Sequence, residues 1–154
     1  MDQKRLEAFE QARKKIIGEK RQRIGIGTLS EKTVHAVLKN FYAPNEENQE
    51  IPLENFIADI CVDGEIMEIQ TRHFYKMKEK LTAFLPICPV TICYPIPREK
   101  NLIWIDPVSG NYSERRKSPK KCSVYSVFPE LYRIKEFLKN PNLKFRLVLM
   151  DMDE

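Results

Sequence analysis

The sequence predicts an α/β domain, and two observations support that prediction. Apolar residues recur at helical spacing in four stretches, and short runs of β-branched and apolar residues lie between the later ones. Two of these short runs flank Asp63-Gly64, a dipeptide that favours a two-residue hairpin turn. Helices interspersed with strands in this way are typical of a sheet covered by helices.

The first half of the chain predicts two helices and a polar loop. An amphipathic helix with one thin apolar stripe is expected over residues 3–22, and the glycines of "GIGTLSE" end it. A second helix is expected over about 29–42, because Thr28 and Glu31 form a capping box before apolar residues at helical spacing. The stretch "APNEENQEIP" is polar and contains two prolines, which predicts a loop.

The second half predicts strands around two further helices. "NFIADICV" and "EIMEIQT" are the expected strands of the Asp63-Gly64 hairpin, and an amphipathic helix follows that Pro86 stops. "PVTICYPI" and "NLIWID" are predicted strands, and a fourth helix has Pro129 in its first turn. "LKFRLVLM" is a final strand. Because "DMDE" follows it directly, we expect a fragment of a longer protein.

Length and composition limit the classes of protein to which this chain can belong. The 154 residues, 42% of them hydrophobic and 31% charged, suit one globular domain. We divide the chain into an N-terminal amphipathic helix, residues 1–23, and a single α/β domain, residues 24–154. No apolar run approaches the roughly 20 residues that span a bilayer, and the N-terminus does not resemble a secretory signal. These features predict a cytoplasmic protein without a membrane partner.

The four cysteines predict reduced thiols. They lie mostly in apolar runs, without a C-x-x-C pair, and neither histidine stands at zinc-ligand spacing. We therefore expect no zinc and no organic cofactor.

Positive charge is concentrated in two segments. Residues 13–23 carry six bases and one acid, and residues 114–121 carry five bases and one acid, in a chain of net charge +4. Such clusters suit contact with a nucleic acid backbone, although solvated helix and loop faces often carry similar runs. The candidate nucleic-acid-binding residues are Lys14, Lys15, Lys20, Arg21, Arg23, Arg72, Arg115, Arg116, Lys117, Lys120 and Lys121.

The hairpin carries acidic residues that suggest a metal site. Pairing around Asp63-Gly64 places Asp59 near Glu68 on the facing strand, with Gln70 one pleat further on. Ile57, Asp59 and Cys61 are expected on one face of the first strand. Two facing carboxylates repel each other unless a positive charge lies between them, and carboxylate oxygens suit Mg²⁺ or Mn²⁺. The alternative is that these acids are solvated residues on an exposed hairpin edge.

This arrangement resembles the PD-(D/E)xK nuclease superfamily. The similar features are an acid in a short strand, a turn, E-x-Q in the next strand, a preceding helix with Glu31 and a following amphipathic helix. The resemblance covers roughly residues 28–97 and implies a restriction-endonuclease-like αβββαβ core, a mixed sheet flanked by helices, here with an extra N-terminal helix. It also implies that Asp59, Glu68 and Glu31 hold the metal. Residues 24–154 also look like uncharacterised bacterial proteins.

The chain departs from the pattern of that superfamily at two positions. Ala58 stands where proline is frequent, and Gln70 stands where a lysine usually helps to orient the attacking water. An amide can orient water but brings no charge, so Lys76 or Arg72 is a candidate source of the missing positive charge.

The resemblance implies metal-dependent hydrolysis of nucleic acid, with DNA a more probable substrate than RNA. Asp59 and Glu68 would hold Mg²⁺ or Mn²⁺ while Gln70 orients water, and Lys76 is a further candidate catalytic residue. His35 is a candidate to hold Glu31 or to contact phosphate, and His73 is a candidate for phosphate contact; the alternative is that both are ordinary boundary histidines. The alternative is an inactive nuclease-fold module that binds nucleic acid or protein. The N-terminal helix is a candidate contact for a homodimer or a protein partner.

Overall fold

The fold was described from a computed structural model, which covers residues 2–23, 31–103, 106, 108–111, 113–119 and 122–153. Of residues 19–23, 31 and 153, the backbone alone is described. The helices are α1 (Gln3–Arg23), α2 (Glu31–Tyr42), α3 (Lys78–Phe84) and α4 (Phe128–Arg133). Short 3-10 helices lie at Glu46–Asn48, Phe74–Met77, Val124–Val127 and Lys135–Phe137. The strands are β1 (Gln49–Leu53), β2 (Phe56–Val62), β3 (Glu65–Ile69), β4 (Val90–Leu102), β5 (Arg116–Lys117) and β6 (Leu143–Asp153).

The strands form one mixed sheet. β1, β2 and β3 make an antiparallel meander, β4 lies parallel to both β3 and β6, and β5 pairs with the end of β4. The order α2, β1, β2, β3, α3, β4 agrees with the expected αβββαβ core, and α1 precedes it. The predicted α/β fold class is therefore confirmed.

The turn between β2 and β3 forms as its two residues require. Asp63 and Gly64 have φ angles of 51° and 77°, the left-handed values of a type I′ turn. Val62 pairs with Glu65 and Ile60 with Met67. The paired register ends at Ile60 and Met67, and the two acids follow directly: the Asp59 N–H donates to Glu68 Oε1 at 3.3 Å, and Asp59 Oδ2 accepts the Ile69 N–H at 2.9 Å.

Helices α3 and α4 cover one face of the sheet. Phe74, Leu81 and Phe84 are fully buried there and pack in one cluster with Ile66 and Ile92 from the sheet. The cluster explains the helical spacing of the apolar residues before Pro86, because they all belong to this face.

Helix α2 covers the opposite face. Leu38 and Ala43 pack with Ile60, Ile69 and Cys93. Strand β4 is therefore covered on both faces, which agrees with the continuous apolar run of a parallel strand. Burial raises the pKa of the Cys93 thiol to about 12 and keeps the thiol protonated.

Helix α1 packs on α2 instead of directly on the sheet. Ala12 is buried, and the Phe9 and Phe41 rings meet edge to face with centroids 5.5 Å apart. Leu6 remains 43% exposed. Part of the predicted apolar stripe of α1 is thus packed against α2, and part of it is exposed. Within the described ranges, no helix has the combination of length and apolar character required to cross a membrane.

Three predictions of local structure were wrong. The expected loop "APNEENQEIP" contains most of β1, an edge strand in which Pro52 is tolerated because no neighbour needs its missing N–H. "PVTICYPI" and the start of "NLIWID" belong to one continuous strand, β4; Trp104 and Ile105 lie outside the described residues. In β2, Ala58 packs in the same cluster as Cys61, while Ile60 packs on the opposite side.

Candidate functional site

The two facing acids lie in an open cleft of about 360 Å³ between α2, the β2–β3 hairpin and α3. Its lining is polar and carries both signs of charge. The lining residues are Lys32, His35, Asp59, Glu68, Ile69, Gln70, Thr71 and Lys80.

Asp59 is held from two sides. Its Oδ2 atom lies 3.0 Å from His35 Nε2 and accepts the backbone N–H of Ile69 at 2.9 Å. Burial raises the pKa of Asp59, but the hydrogen bond and charge of His35 and the Ile69 N–H outweigh burial and leave the pKa below its usual value. Asp59 is therefore a fixed, ionised carboxylate at neutral pH.

Glu68 is the most buried ionisable group of the cleft. Glu68 is 4% exposed. Its Oε1 atom accepts the Asp59 backbone N–H at 3.3 Å, and its Oε2 atom lies 2.6 Å from Lys80 Nζ. Burial, together with the neighbouring charge of Asp59, raises the pKa of Glu68 to about 7 even though Lys80 opposes the shift. Glu68 thus changes charge near neutral pH, next to an acid that does not.

Gln70 continues the wall of the cleft beyond Glu68. Its backbone N–H donates to the Cys93 carbonyl at 2.9 Å, which ties the end of β3 to β4. Its side-chain amide donates to the Arg72 carbonyl. The amide is therefore fixed on the cleft wall by a local contact.

The cation next to Glu68 is Lys80, which the sequence reasoning missed. Lys76, the predicted candidate, is exposed and does not line the cleft. The difference arises because Phe74–Met77 is a 3-10 helix, whose residues advance by about 120° instead of the about 100° of an α-helix. Lys80 lies within α3 itself, beside the buried Leu81, and reaches the cleft from the edge of the apolar face.

The predicted metal ligands are only partly described. Asp59 and Glu68 converge, but the side chain of Glu31, like the capping residue Thr28, lies outside the described part of the structure. Among the described residues, no group of three or more histidine, cysteine, aspartate or glutamate side chains is placed to hold a metal. Two carboxylates nevertheless fit Mg²⁺ or Mn²⁺, because such ions keep several waters as ligands. The same pair offers too few ligands for a structural zinc site.

The predicted nucleic-acid-binding residues do not line the cleft where they are described. Lys14, Arg72, Arg115 and Arg116 are exposed, whereas Lys15 pairs with Glu46 at 3.1 Å and Lys117 with Glu99 at 2.7 Å. None of these six lines the cleft, where Lys32 and Lys80 are the lysines present. The side chains of Lys20, Arg21, Arg23, Lys120 and Lys121 are outside the described part of the chain.

The two histidines have different surroundings. His35 contacts Asp59, a partner that sequence reasoning did not consider for it. His73 is exposed, has a φ of 61° and meets the Tyr75 ring edge to face at 5.7 Å. Only His35 therefore belongs to the cleft. A pairing of α2 with β2 would have been needed to find its role, and no local pattern encodes that pairing.

The fold and the cleft define a mixed α/β domain with a carboxylate pair on a hairpin, flanked by a lysine and a histidine. Residues 32–154 match the family model described as "Domain of unknown function (DUF8091)". The chain therefore belongs to this family.

The chain is also similar to part of a longer protein. The chain is 32% identical over 126 residues to an "Uncharacterized protein" of Treponema pallidum (strain Nichols). The match includes 80% of this chain but 49% of the relative, so the chain spans about half the length of that protein. No solved structure matches.

Proposed function

We propose that this domain hydrolyses phosphodiester bonds of nucleic acid, with Mg²⁺ or Mn²⁺ held by Asp59 and Glu68. The observation that carries the proposal is the convergence of both acids with one lysine. Glu68 touches the Asp59 backbone at 3.3 Å and Lys80 at 2.6 Å, inside a cleft that is open to solvent. Glu31 stays a predicted third ligand.

The cation has a defined part in this proposal. When bound, Mg²⁺ would lower the pKa of a water molecule and offset the charge of the phosphate. Two carboxylates on a rigid hairpin suit it because they supply hard oxygen ligands from one side and leave the solvent side for water.

Lys80 is proposed to supply the charge that Gln70 cannot. The ammonium group lies against Glu68 and lines the same cleft as Gln70. A phosphate in the cleft would meet this cation, which would stabilise negative charge that develops during attack. Gln70 keeps its predicted role, the orientation of a water molecule by its amide.

His35 is proposed as a positioning residue. Its contact with Asp59 Oδ2 fixes the carboxylate beside the Ile69 N–H, so that the second oxygen of Asp59 has a defined direction. The basic segments would hold the flanking backbone electrostatically, with DNA preferred over RNA as the substrate. We propose a cytoplasmic location, because all four cysteines carry free thiols.

The test is cleavage of supercoiled plasmid, linear duplex and single-stranded DNA with Mg²⁺, Mn²⁺ or EDTA. We expect metal-dependent cleavage that falls at least about 100-fold in Asp59→Asn, Glu68→Gln and Lys80→Met, because each substitution removes charge from the cleft. Lys76→Met is the matched control, since Lys76 is exposed and outside the cleft lining. Cleavage that persists in both acid variants would show that another site, or a contaminant, carries the activity.

A second candidate function is binding without catalysis. It is favoured by one observation: Lys80 pairs with Glu68 and His35 contacts Asp59, so that both carboxylates already have partners within the protein. In that case nucleic acid would bind equally well in EDTA and in Mg²⁺, and neither metal would produce cleavage by the wild-type protein.

A further inference from the structure

Four exposed aromatic side chains belong to the helical segments on the α4 side of the sheet. Tyr75, Tyr125, Phe128 and Tyr132 are 44%, 70%, 59% and 70% exposed. We call these four residues the aromatic surface. Tyr75 and Tyr132, with Pro129 and Arg133, line an open depression of about 620 Å³. Large aromatic rings rarely cluster in solvent without a ligand, because their exposure is unfavourable.

Two cations lie over rings of the aromatic surface. The Arg133 guanidinium is 5.7 Å from the centre of the Tyr75 ring, and Lys135 Nζ is 4.8 Å from that of Tyr132. Tyr125 and Phe128 stack on each other at 14°, with centroids 6.0 Å apart. The surface therefore presents flat rings together with positive charge.

The surrounding chain is strongly basic. Residues 72–80 and 124–139 together contain seven lysines and arginines but three glutamates, a balance of +4 that equals the net charge of the whole chain. Some of these charges are paired: Glu136 with Lys78 at 2.5 Å, Glu130 with Arg133 at 3.8 Å, and Lys80 with Glu68 of the cleft at 2.6 Å. The region is thus complementary to a polyanion.

The aromatic surface is close to the cleft along the chain. Thr71 lines the cleft and Tyr75 belongs to the aromatic surface; three residues lie between them, which limits their separation to about 14 Å. His73 lies between them and contacts the Tyr75 ring. A single strand on the aromatic surface would therefore have the cleft within reach.

We propose that the aromatic surface is a stacking platform for the unpaired bases of single-stranded nucleic acid. Every base has a flat face that stacks on exposed aromatic rings, and the phosphates would meet Arg133, Lys135 and their basic neighbours. A protein partner fits less well, because lysine is depleted in protein interfaces, whereas here Lys135 lies over the Tyr132 ring. Binding to this surface stands by itself, but delivery of the strand to the cleft rests on the proposed function.

The first arm of the test compares nucleic acids in EDTA. Labelled dT20, rU20, a 20-bp duplex and a 20-mer of abasic sites are titrated with the protein and followed by fluorescence anisotropy. We expect dT20 and rU20 to bind at least about tenfold more tightly than the duplex and the abasic strand, because neither of the latter offers unpaired bases. Equal affinity for the abasic strand would overturn the proposal, since phosphate contact alone would then explain binding.

The second arm changes the rings. Tyr125→Ala, Phe128→Ala and Tyr132→Ala should each weaken dT20 binding by about tenfold, whereas Tyr125→Phe and Tyr132→Phe keep a ring and should bind like the wild type. The matched control is Ile87→Ala, an exposed apolar residue outside the aromatic surface, at 53% exposure. Unchanged binding in all three alanine variants would also overturn the proposal.

The last arm separates this inference from the proposed function. In the wild type, binding of dT20 in EDTA without cleavage in Mg²⁺ or Mn²⁺ leaves the platform in place and removes the nuclease proposal. Cleavage without ring-dependent binding does the reverse. Sedimentation of the wild type and of Tyr132→Ala tests the competing occupant. Self-association that the substitution abolishes, without any single-strand binding, would assign the surface to a second copy of the chain and overturn the proposal.

Discussion

At the scale of single residues, the cleft shows how two similar acids in one site acquire different pKa values. Asp59 keeps a lowered pKa because His35 and a backbone N–H satisfy it, whereas burial beside Asp59 raises the pKa of Glu68 to about 7. Glu68 and Lys80 then form a pair whose charge state depends on pH. A cation in place of the Glu68 proton would favour the ionised form.

The raised pKa of Glu68 predicts a fall in stability between pH 5 and 8. The folded state retains the proton up to about pH 7, while the unfolded chain releases it near 4.5, so that the free energy of unfolding decreases as pH rises through this window. The expected loss is roughly 2–3 kcal/mol in the absence of metal. Asp59, with its lowered pKa, acts in the opposite sense and only under more acidic conditions.

Urea unfolding at pH 5, 6, 7 and 8 in EDTA measures this effect. Glu68→Gln cannot titrate and should lose the pH dependence, so that its stability relative to the wild type improves with rising pH. Glu65→Gln is the control, because Glu65 is an exposed acid on the same strand. A slope in Glu68→Gln equal to that of the wild type would contradict the assignment.

At the scale of elements, the β2–β3 turn determines the geometry of the site. Its two residues adopt left-handed φ angles, and the resulting two-residue loop sets which residues face each other. A register shift of one residue would move Glu68 to the other face of β3. The cleft therefore depends on the turn, although Asp63 and Gly64 are not among the residues that line the cleft.

Two glycine substitutions should have opposite effects. Gly64→Ala places a Cβ at φ 77°, where open space surrounds it, so that backbone strain alone should destabilise the fold by about 1 kcal/mol. Gly18→Ala, within α1 and also without neighbours, should stabilise by about 0.5–1 kcal/mol because alanine favours a helix. Denaturant melts of both variants measure the difference; a Gly64→Ala variant as stable as Gly18→Ala would refute the turn assignment.

At the scale of the whole molecule, the sheet joins two layers that each contribute to the cleft. His35 comes from α2 on one face and Lys80 from α3 on the other, while the acids lie on the hairpin between them. Both layers must be assembled before the site exists. Ligand binding in the cleft should therefore stabilise the complete fold.

Metal binding is expected to raise the melting temperature of the wild-type protein. A divalent cation at ten times its dissociation constant would add about 1.4 kcal/mol, or about 3–6 °C for a domain of this size. Calorimetry at pH 8 with Mg²⁺, Mn²⁺ or EDTA measures the shift. Asp59→Asn should show none, and Glu65→Gln should respond like the wild type. A wild-type protein that is insensitive to both ions would remove the cation from the proposed function.

Local chemistry explains which predictions succeeded. Asp63-Gly64 encodes its own turn, and the apolar residues before Pro86 encode their own helical face, so both could be found without neighbours. The strand at Gln49–Leu53 could not be predicted in this way, because its structure depends on pairing with β2 and its polar residues do not favour a strand by themselves. Lys80, and the contact of His35 with Asp59, were missed for the same reason: each depends on elements that are distant in sequence.

The position of Lys80 also changes the linear pattern that encodes the site. Eight residues separate Asp59 from Glu68, and eleven separate Glu68 from Lys80, which gives D-x8-E-x11-K with Asp-Gly inside the first gap. A search that demands lysine two positions after the glutamate passes over this chain. Under the proposed function, a search that lets the lysine come from the following helix would retain this chain, together with other domains that place the same three charges in this order.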